Sequence, residues 1–241
     1  MEYRTKSILF WIFTIIFTIV IAIYQRMTGP TYPETGKLEV AGQMIKYRVL
    51  TSHGGDTDAE SRIFAPDSAI RGKYVYKRFK VEEEWTPREM TRDGDYLIVT
   101  LPHPPPAGKL VSQVKLVREG QPITIYEDPV VIRFKGGVPN WILYPHVLMM
   151  FLAMIFSTRT GLEVLIKGKN TFKYALVTII LLFCGGLILG PVMQLYAFGE
   201  LWTGWPFGQD LTDNKTLVAF AVWLVAVIRL WRNREHRWWA L

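Results

Sequence analysis

Residues 7–24 read SILFWIFTIIFTIVIAIY, eighteen residues without a charge. A helix needs about 20 apolar residues to cross a hydrocarbon core of about 30 Å, and about 17 suffice. The basic start of this segment, Arg4 and Lys6, also suits a secretory signal. The apolar run is too long for a signal core, however, and its exit, Ile23-Tyr24-Gln25-Arg26, offers no small-x-small cleavage site. The segment therefore reads as an uncleaved anchor, residues 1–26.

Three further apolar runs follow: Trp141–Ser157, Tyr174–Tyr196 and Thr216–Trp231. The third is broken only by glycines and Pro191, and the fourth is interrupted by Arg229. The second and fourth are short and must draw on flanking residues. The expectation is four transmembrane helices: the anchor, then a three-helix membrane domain over residues 141–241.

Lys and Arg set the orientation, because cytoplasmic loops carry their excess. With a cytoplasmic N-terminus, segments 1–6, 158–173 and 229–241 are cytoplasmic. They hold ten basic residues, including Arg4, Lys6, Arg159 and Lys167, against Glu2, Glu163 and Glu235. The short outer loop 197–215 holds Lys215 against Glu200, Asp210 and Asp213. Residues 26–140 hold 17 basic and 15 acidic residues, so the net charge of +7 resides at the cytoplasmic helix ends. A pI near 9.4 invites a nucleic-acid reading. The charge distribution argues against that partner, since the soluble part is nearly neutral. The expected location is a bacterial inner membrane, with both termini cytoplasmic and residues 31–137 periplasmic.

Residues 31–137 change character. Short alternating runs are separated by Gly, Pro, Asp and Asn, the mark of an all-β domain. Lys37–Ala41 and Gln43–Leu50 flank Gly42 as a hairpin, with Ile45, Tyr47 and Val49 on one face. Arg62–Phe64, Lys73–Lys80, Tyr96–Leu101, Lys109–Val117, Ile123–Tyr126 and Val130–Phe134 complete about eight strands, at sandwich spacing. Cys184 is the sole cysteine, so no intrachain disulfide braces this domain.

The segment from Tyr74 to Val117 carries a resemblance. An aromatic–basic strand (Tyr74-Val75-Tyr76-Lys77-Arg78-Phe79) is followed by a Trp85-x-x-x-x-Met90 strand. Gly94-Asp95 then opens a strand ending Leu101-Pro102, and Pro106-Ala107-Gly108 turns into the next. This pattern resembles the immunoglobulin-like and fibronectin-III-like sandwiches of bacterial secreted and envelope proteins. The resemblance implies an antiparallel Ig-like sandwich inserted between helices 1 and 2, a module that binds or spaces and seldom catalyses. Tyr144-Pro145-His146, the glycine-rich third helix and the aromatic loop after it resemble a group of bacterial four-helix inner-membrane proteins of unassigned activity. That likeness implies the topology alone.

Candidate chemistry is sparse. His53-Gly54-Gly55-Asp56-Thr57-Asp58 offers possible metal ligands, but turn geometry explains a Gly/Asp-rich run equally well. His103 sits in the stiff run Leu101-Pro102-His103-Pro104-Pro105-Pro106 and reads as a surface loop histidine. Glu82-Glu83-Glu84 reads as a solvated loop. Lys135–Asn140 is a short joint, which places the β domain close to the membrane.

In the membrane domain, His146 invites a cofactor reading, because ionisable groups in a bilayer are costly and often functional. Heme or quinone would suit it. Bis-histidine ligation lacks a second helical histidine, and Met149, Met150, Met154 and Met193 serve equally as core filler. Gly186 and Gly190 form a G-x-x-x-G helix-packing motif, and Pro191 should kink or end the helix. In the outer loop, Trp202, Trp205, Phe198 and Phe207 suit a membrane–water interface. Thr212 or Asp213 can cap the fourth helix. A docking site built from Glu200, Asp210 and Asp213 is the sharper reading. The tail RLWRNREHRWWAL (229–241) reads as an interfacial anchor to membrane lipid.

No nucleophile–base pair, phosphate loop or carboxylate pair appears in the sequence, so an enzyme is unsupported. The expected function is an integral membrane accessory protein, a subunit or assembly factor in contact with other membrane proteins. The alternatives are a redox subunit binding heme or quinone near His146, and a small-solute transporter component.

Overall fold

The computed structural model describes residues 3–105 and 107–241. Glu2, counted above on the cytoplasmic side, and Pro106, the last of the proline run, lie outside the described residues. The chain divides into two compact units: residues 1–25 with 138–241, and residues 26–137.

The 26–137 unit is built of strands β1 (Glu34–Val40), β2 (Gln43–Val49), β3 (Ser52–Gly54), β4 (Ala59–Phe64), β5 (Ile70–Arg78), β6 (Thr86–Glu89), β7 (Thr91–Asp93), β8 (Tyr96–Leu101), β9 (Lys109–Arg118), β10 (Gln121–Ile123) and β11 (Val130–Lys135). One sheet runs β1-β2-β4-β8-β7, with every pairing antiparallel. The other runs β3-β11-β9-β5-β6, with β10 hairpinned onto β9. Its β3 lies parallel to β11, which makes this sheet mixed.

The expected hairpin forms between β1 and β2, with Val40 opposite Gln43. Ala41 and Gly42 take φ of 51° and 76°. Positive φ at both central residues is what a type I′ turn needs, and that turn matches the twist of its strands. Alternation fills the core: Ala59 and Ile63 from β4, Leu97, Val99 and Leu101 from β8, Leu110, Val114 and Leu116 from β9, and Ile132 and Phe134 from β11 are all buried. Residues of both sheets belong to one hydrophobic cluster. Two buried hydroxyls are satisfied within it: Tyr74 Oη donates to Ser112 Oγ at 2.9 Å, and Ser112 Oγ donates to the Val130 carbonyl at 3.1 Å.

Two strands, β3 and β7, were not expected, and β6 falls within the Trp85–Met90 strand that the resemblance implies. In β6 and β7 every residue is exposed, so no apolar alternation marks them. β3 is only three residues long. The expected strand Ile123–Tyr126 is mostly irregular, because Tyr126 leaves the ladder and its hydroxyl accepts the Val114 N–H at 2.7 Å.

The other unit holds α1 (Tyr3–Thr28), α2 (Asn140–Leu165), α3 (Thr171–Leu181), a π-helical segment (Leu182–Leu189), α4 (Gly190–Phe198), α5 (Leu211–Arg232) and a 3₁₀ turn (Arg237–Ala240). With α3, the π segment and α4 continuous, four helices of 26, 26, 28 and 22 residues are long and apolar enough to cross a membrane.

Their surface is inverted relative to a water-soluble protein. On α1 the large apolar residues Ile8, Ile12, Ile16, Val20 and Ile23 are exposed, whereas Thr14 and Thr18 are buried. Apolar side chains facing outward lose nothing in lipid, and small residues facing inward let helices approach.

Two boundaries differ from expectation. α2 continues eight residues past Ser157, through the stretch expected to be a cytoplasmic loop. It does so because Arg159 and Glu163, one turn apart, neutralise each other inside the helix. α5 begins at Leu211 rather than Thr216, and its cap is neither Thr212 nor Asp213. Asp210 is the N-cap, with Oδ1 accepting the N–H groups of Thr212 at 2.8 Å and Asp213 at 3.1 Å.

Candidate functional site

Residues 199–210 join α4 to α5. Gly199 ends α4 in the left-handed region, at φ 81°. The chain then winds around Thr203. Its N–H donates to Asp213 Oδ2 at 2.8 Å, its hydroxyl receives Gln194 Nε2 at 2.6 Å, and its carbonyl accepts the Asp210 N–H at 2.9 Å. The Trp205 N–H donates to Asn214 Oδ1 at 2.6 Å, and Trp202 Nε1 donates to the Trp205 carbonyl at 3.1 Å. Gly204 is buried, and a Cβ there would strike Asp213 Cβ at 2.6 Å.

Asp210 and Asp213 therefore direct their carboxylates at backbone N–H groups of the loop and of the α5 start. Glu200 is exposed, and no bond joins it to those two among the described residues. Trp202 is half-buried. Trp205 and Phe207 point away, 68 % and 84 % exposed. The loop is a hydrogen-bonded knot that holds two large aromatic side chains outward.

His146, half-buried on α2, donates from Nδ1 to the Gly185 carbonyl at 2.8 Å. That carbonyl also accepts the Gly190 N–H, an i→i+5 bond of the π segment. Pro191 lacks an N–H and its ring crowds the preceding turn, which accounts for the widened helix just before it. Gly185 and Gly186 are the closely packed glycines: a Cβ would fall 2.7 Å from Met149 Cβ at the first and 2.7 Å from Thr216 Cγ2 at the second. Gly190 has ordinary room, with His146 Cε1 at 3.7 Å. Met150 packs beside both close glycines, and Cys184 is half-buried.

One polar cluster was hidden from sequence reading. Arg159 Nη2 meets Glu163 Oε2 at 2.7 Å, with both side chains fully buried. Tyr3 Oη and the Asn170 N–H donate to Glu163 Oε1 at 2.6 and 3.1 Å, and Arg159 Nη2 donates to Ser7 Oγ at 2.9 Å. The guanidinium stacks over Trp11 and Tyr174, 5.4 and 5.1 Å from their centroids. A Cβ on Gly168 would occupy the site of the Glu163 carboxylate. The cluster ties the start of α1 to the end of α2, and through the Asn170 N–H it also fixes the turn that leads into α3. The i,i+4 spacing of Arg159 and Glu163 is the sequence signal for this cluster, and it is masked by the basic residues around it that suggest a cytoplasmic loop.

In the β-rich unit, His53 Nε2 bonds the Thr57 carbonyl at 2.9 Å, and Asp58 Oδ1 accepts the His103 N–H at 2.9 Å. His103 is half-buried rather than a surface side chain, and both imidazoles lie edge-on to Phe134, 5.8 and 5.2 Å away. Asp56 is exposed. Among the described residues no group of three or more His, Cys, Asp or Glu is placed to hold a metal ion. Of the acidic triplet, Glu83 is held by Arg78 Nε at 2.8 Å, and that contact lowers its carboxyl below the usual range, while Glu82 and Glu84 are exposed.

No protein-family model matches the chain, and no curated protein matches it.

Proposed function

We propose that this chain is an integral membrane interaction protein of the bacterial inner membrane. It presents an Ig-like β-sandwich on the periplasmic side and serves as a subunit or assembly factor of a larger membrane complex. Both termini are cytoplasmic in this reading, since Lys167, Lys169, Arg229, Arg232, Arg234 and Arg237 flank one set of helix ends. Two sheets contributing to a single core support the sandwich.

The observation that carries the reading is the 199–210 knot. A backbone fixed by its own hydrogen bonds holds Trp205 and Phe207 exposed. Aromatic anchors held rigid before docking lose little entropy on binding, and such residues dominate interface energetics. Aromatic belts use the same residue types to contact headgroups, so the test must separate a protein partner from lipid.

The experiment is purification from native membranes in mild detergent, comparing the natural chain with Trp205→Ala/Phe207→Ala. The expected result is a co-purifying membrane protein lost from the variant at unchanged thermal stability. A monodisperse monomer without a partner overturns the reading.

A further inference from the structure

Ala240 of the 3₁₀ turn is buried against Val164, Ala175, Ala226 and Leu230, which folds the tail back onto α2, α3 and α5. Two adjoining cavities result. The first, about 420 Å³, is a groove walled by Ser157, Gly161 and Leu165 of α2, Val222 and Trp223 of α5, and Trp239 of the turn. Gly161 keeps it open: a Cβ there would meet only Leu241 Cδ1, at 3.9 Å. The second, about 580 Å³, shares Leu165 and is lined by Lys167, Arg237, Glu235 and Trp238. Both volumes fall in the range of about 300–1,000 Å³ usual for small-molecule sites.

The two cavities differ in chemistry. The first is uncharged: Leu162, Leu165, Val222 and Trp223 give it apolar walls, Ser157 and Thr158 add hydroxyls, and Val222 is exposed at its edge. The second is cationic: among the described residues neither Lys167 nor Arg237 is ion-paired, although Arg237 is half-buried. Lys167 sits there at φ 54°, a left-handed conformation that a lysine rarely adopts. Arg229 stacks over Trp239 of the first cavity at 4.7 Å, and Arg234 stacks over Phe172 at 3.5 Å. Trp238, 74 % exposed, has the character of a headgroup-level tryptophan.

We propose that the paired cavities bind one anionic phospholipid of the surrounding bilayer, with an acyl chain along the α2–α5 groove and the phosphate at Lys167 and Arg237. Glu235 offsets part of the charge and biases the site toward singly rather than multiply charged headgroups. The site requires only that the helices lie in a bilayer, so it stands apart from the protein-partner reading.

The test uses the full chain in detergent with equal amounts of dioleoyl phosphatidylglycerol and dioleoyl phosphatidylcholine, and native mass spectrometry counts the retained lipid. Each basic residue at an anionic surface is worth about fivefold in affinity, so a preference of about fivefold or more for the anionic lipid is expected. Lys167→Gln/Arg237→Gln should abolish the preference while lipid is still retained. Gly161→Leu, which fills the groove, should lower retention of both lipids. Raising salt on the natural chain should erode the preference without any variant. Equal retention of the two lipids by the natural chain, a preference that survives the double variant, or one indifferent to salt would overturn the proposal.

Discussion

Arg159 and Glu163 lie one turn apart on α2 and meet at 2.7 Å with neither side chain exposed. Each is the other's only charged partner among the described residues, so loss of one strands the other. Arg159→Met or Glu163→Leu should each cost about 3–5 kcal/mol, and the double substitution should cost much less than their sum. Unfolding of the purified chain in mixed micelles measures both. Strict additivity of the two single changes would show that the pair carries no coupling.

The glycines of the third span should respond unequally. Gly186→Ala drives a methyl to within 2.7 Å of Thr216 Cγ2, an overpacking that costs about 1–3 kcal/mol. Gly190→Ala meets only ordinary contacts and should be close to neutral. Thermal inactivation of the detergent-solubilised protein ranks the two. The reverse order would mean that Gly190, rather than Gly186, lies at the tight crossing.

Asp213 organises the 199–210 knot by accepting the Thr203 N–H. Replacing it with alanine leaves that donor without its partner at a cost of about 1–3 kcal/mol. Limited proteolysis should then cut the loop, and Trp205→Ala should leave it resistant. A loop equally protected in the Asp213 variant would show that the other hydrogen bonds suffice.

In the β-rich unit the stability should fall at both ends of the pH scale. Burial pushes Tyr74 up to about 12 from an ordinary 10. Its folded value is raised, so the stabilisation is intact below pH 10 and is lost as pH climbs from 10 toward 12. Asp67 is lowered by its bonds to Arg118 and the Ala69 N–H, so its stabilisation is intact above the unfolded carboxylate value and is lost as acid protonates it in the fold. Denaturant unfolding across pH should show Tyr74→Phe flattening the alkaline limb and Asp67→Asn the acid one. Unchanged limbs would assign the pH dependence to other groups.

What could be read from the sequence was what repeats locally. The apolar runs announced four helices, and Gly42 between alternating strands announced the first hairpin. The fully exposed β6 and β7 carry no such signal, because their pairing with β5 and β8 fixes them rather than any apolar face; only the Trp85–Met90 resemblance pointed to β6. At the end of α2, charge alone suggested a loop; only the i,i+4 pairing, completed by Tyr3 and Ser7 from far along the chain, explains a helix there. The loop aromatics were legible as a group. The conversion of Asp210 and Asp213 into backbone acceptors was not, since Asp213 acts on Thr203, ten residues away and across a chain reversal.

The bond from Tyr3 to Glu163 spans 160 residues of sequence, and the whole β-rich unit lies within that span. The noncovalent tie therefore closes a ring around the entire β-rich insertion. A chain severed once anywhere between Arg26 and Gly137 still has α1 fastened to the end of α2 through Tyr3 and Ser7, and to the start of α3 through Trp11. Two fragments made separately would find each other in the bilayer by that tie, and the insertion could be exchanged for another module without releasing the anchor.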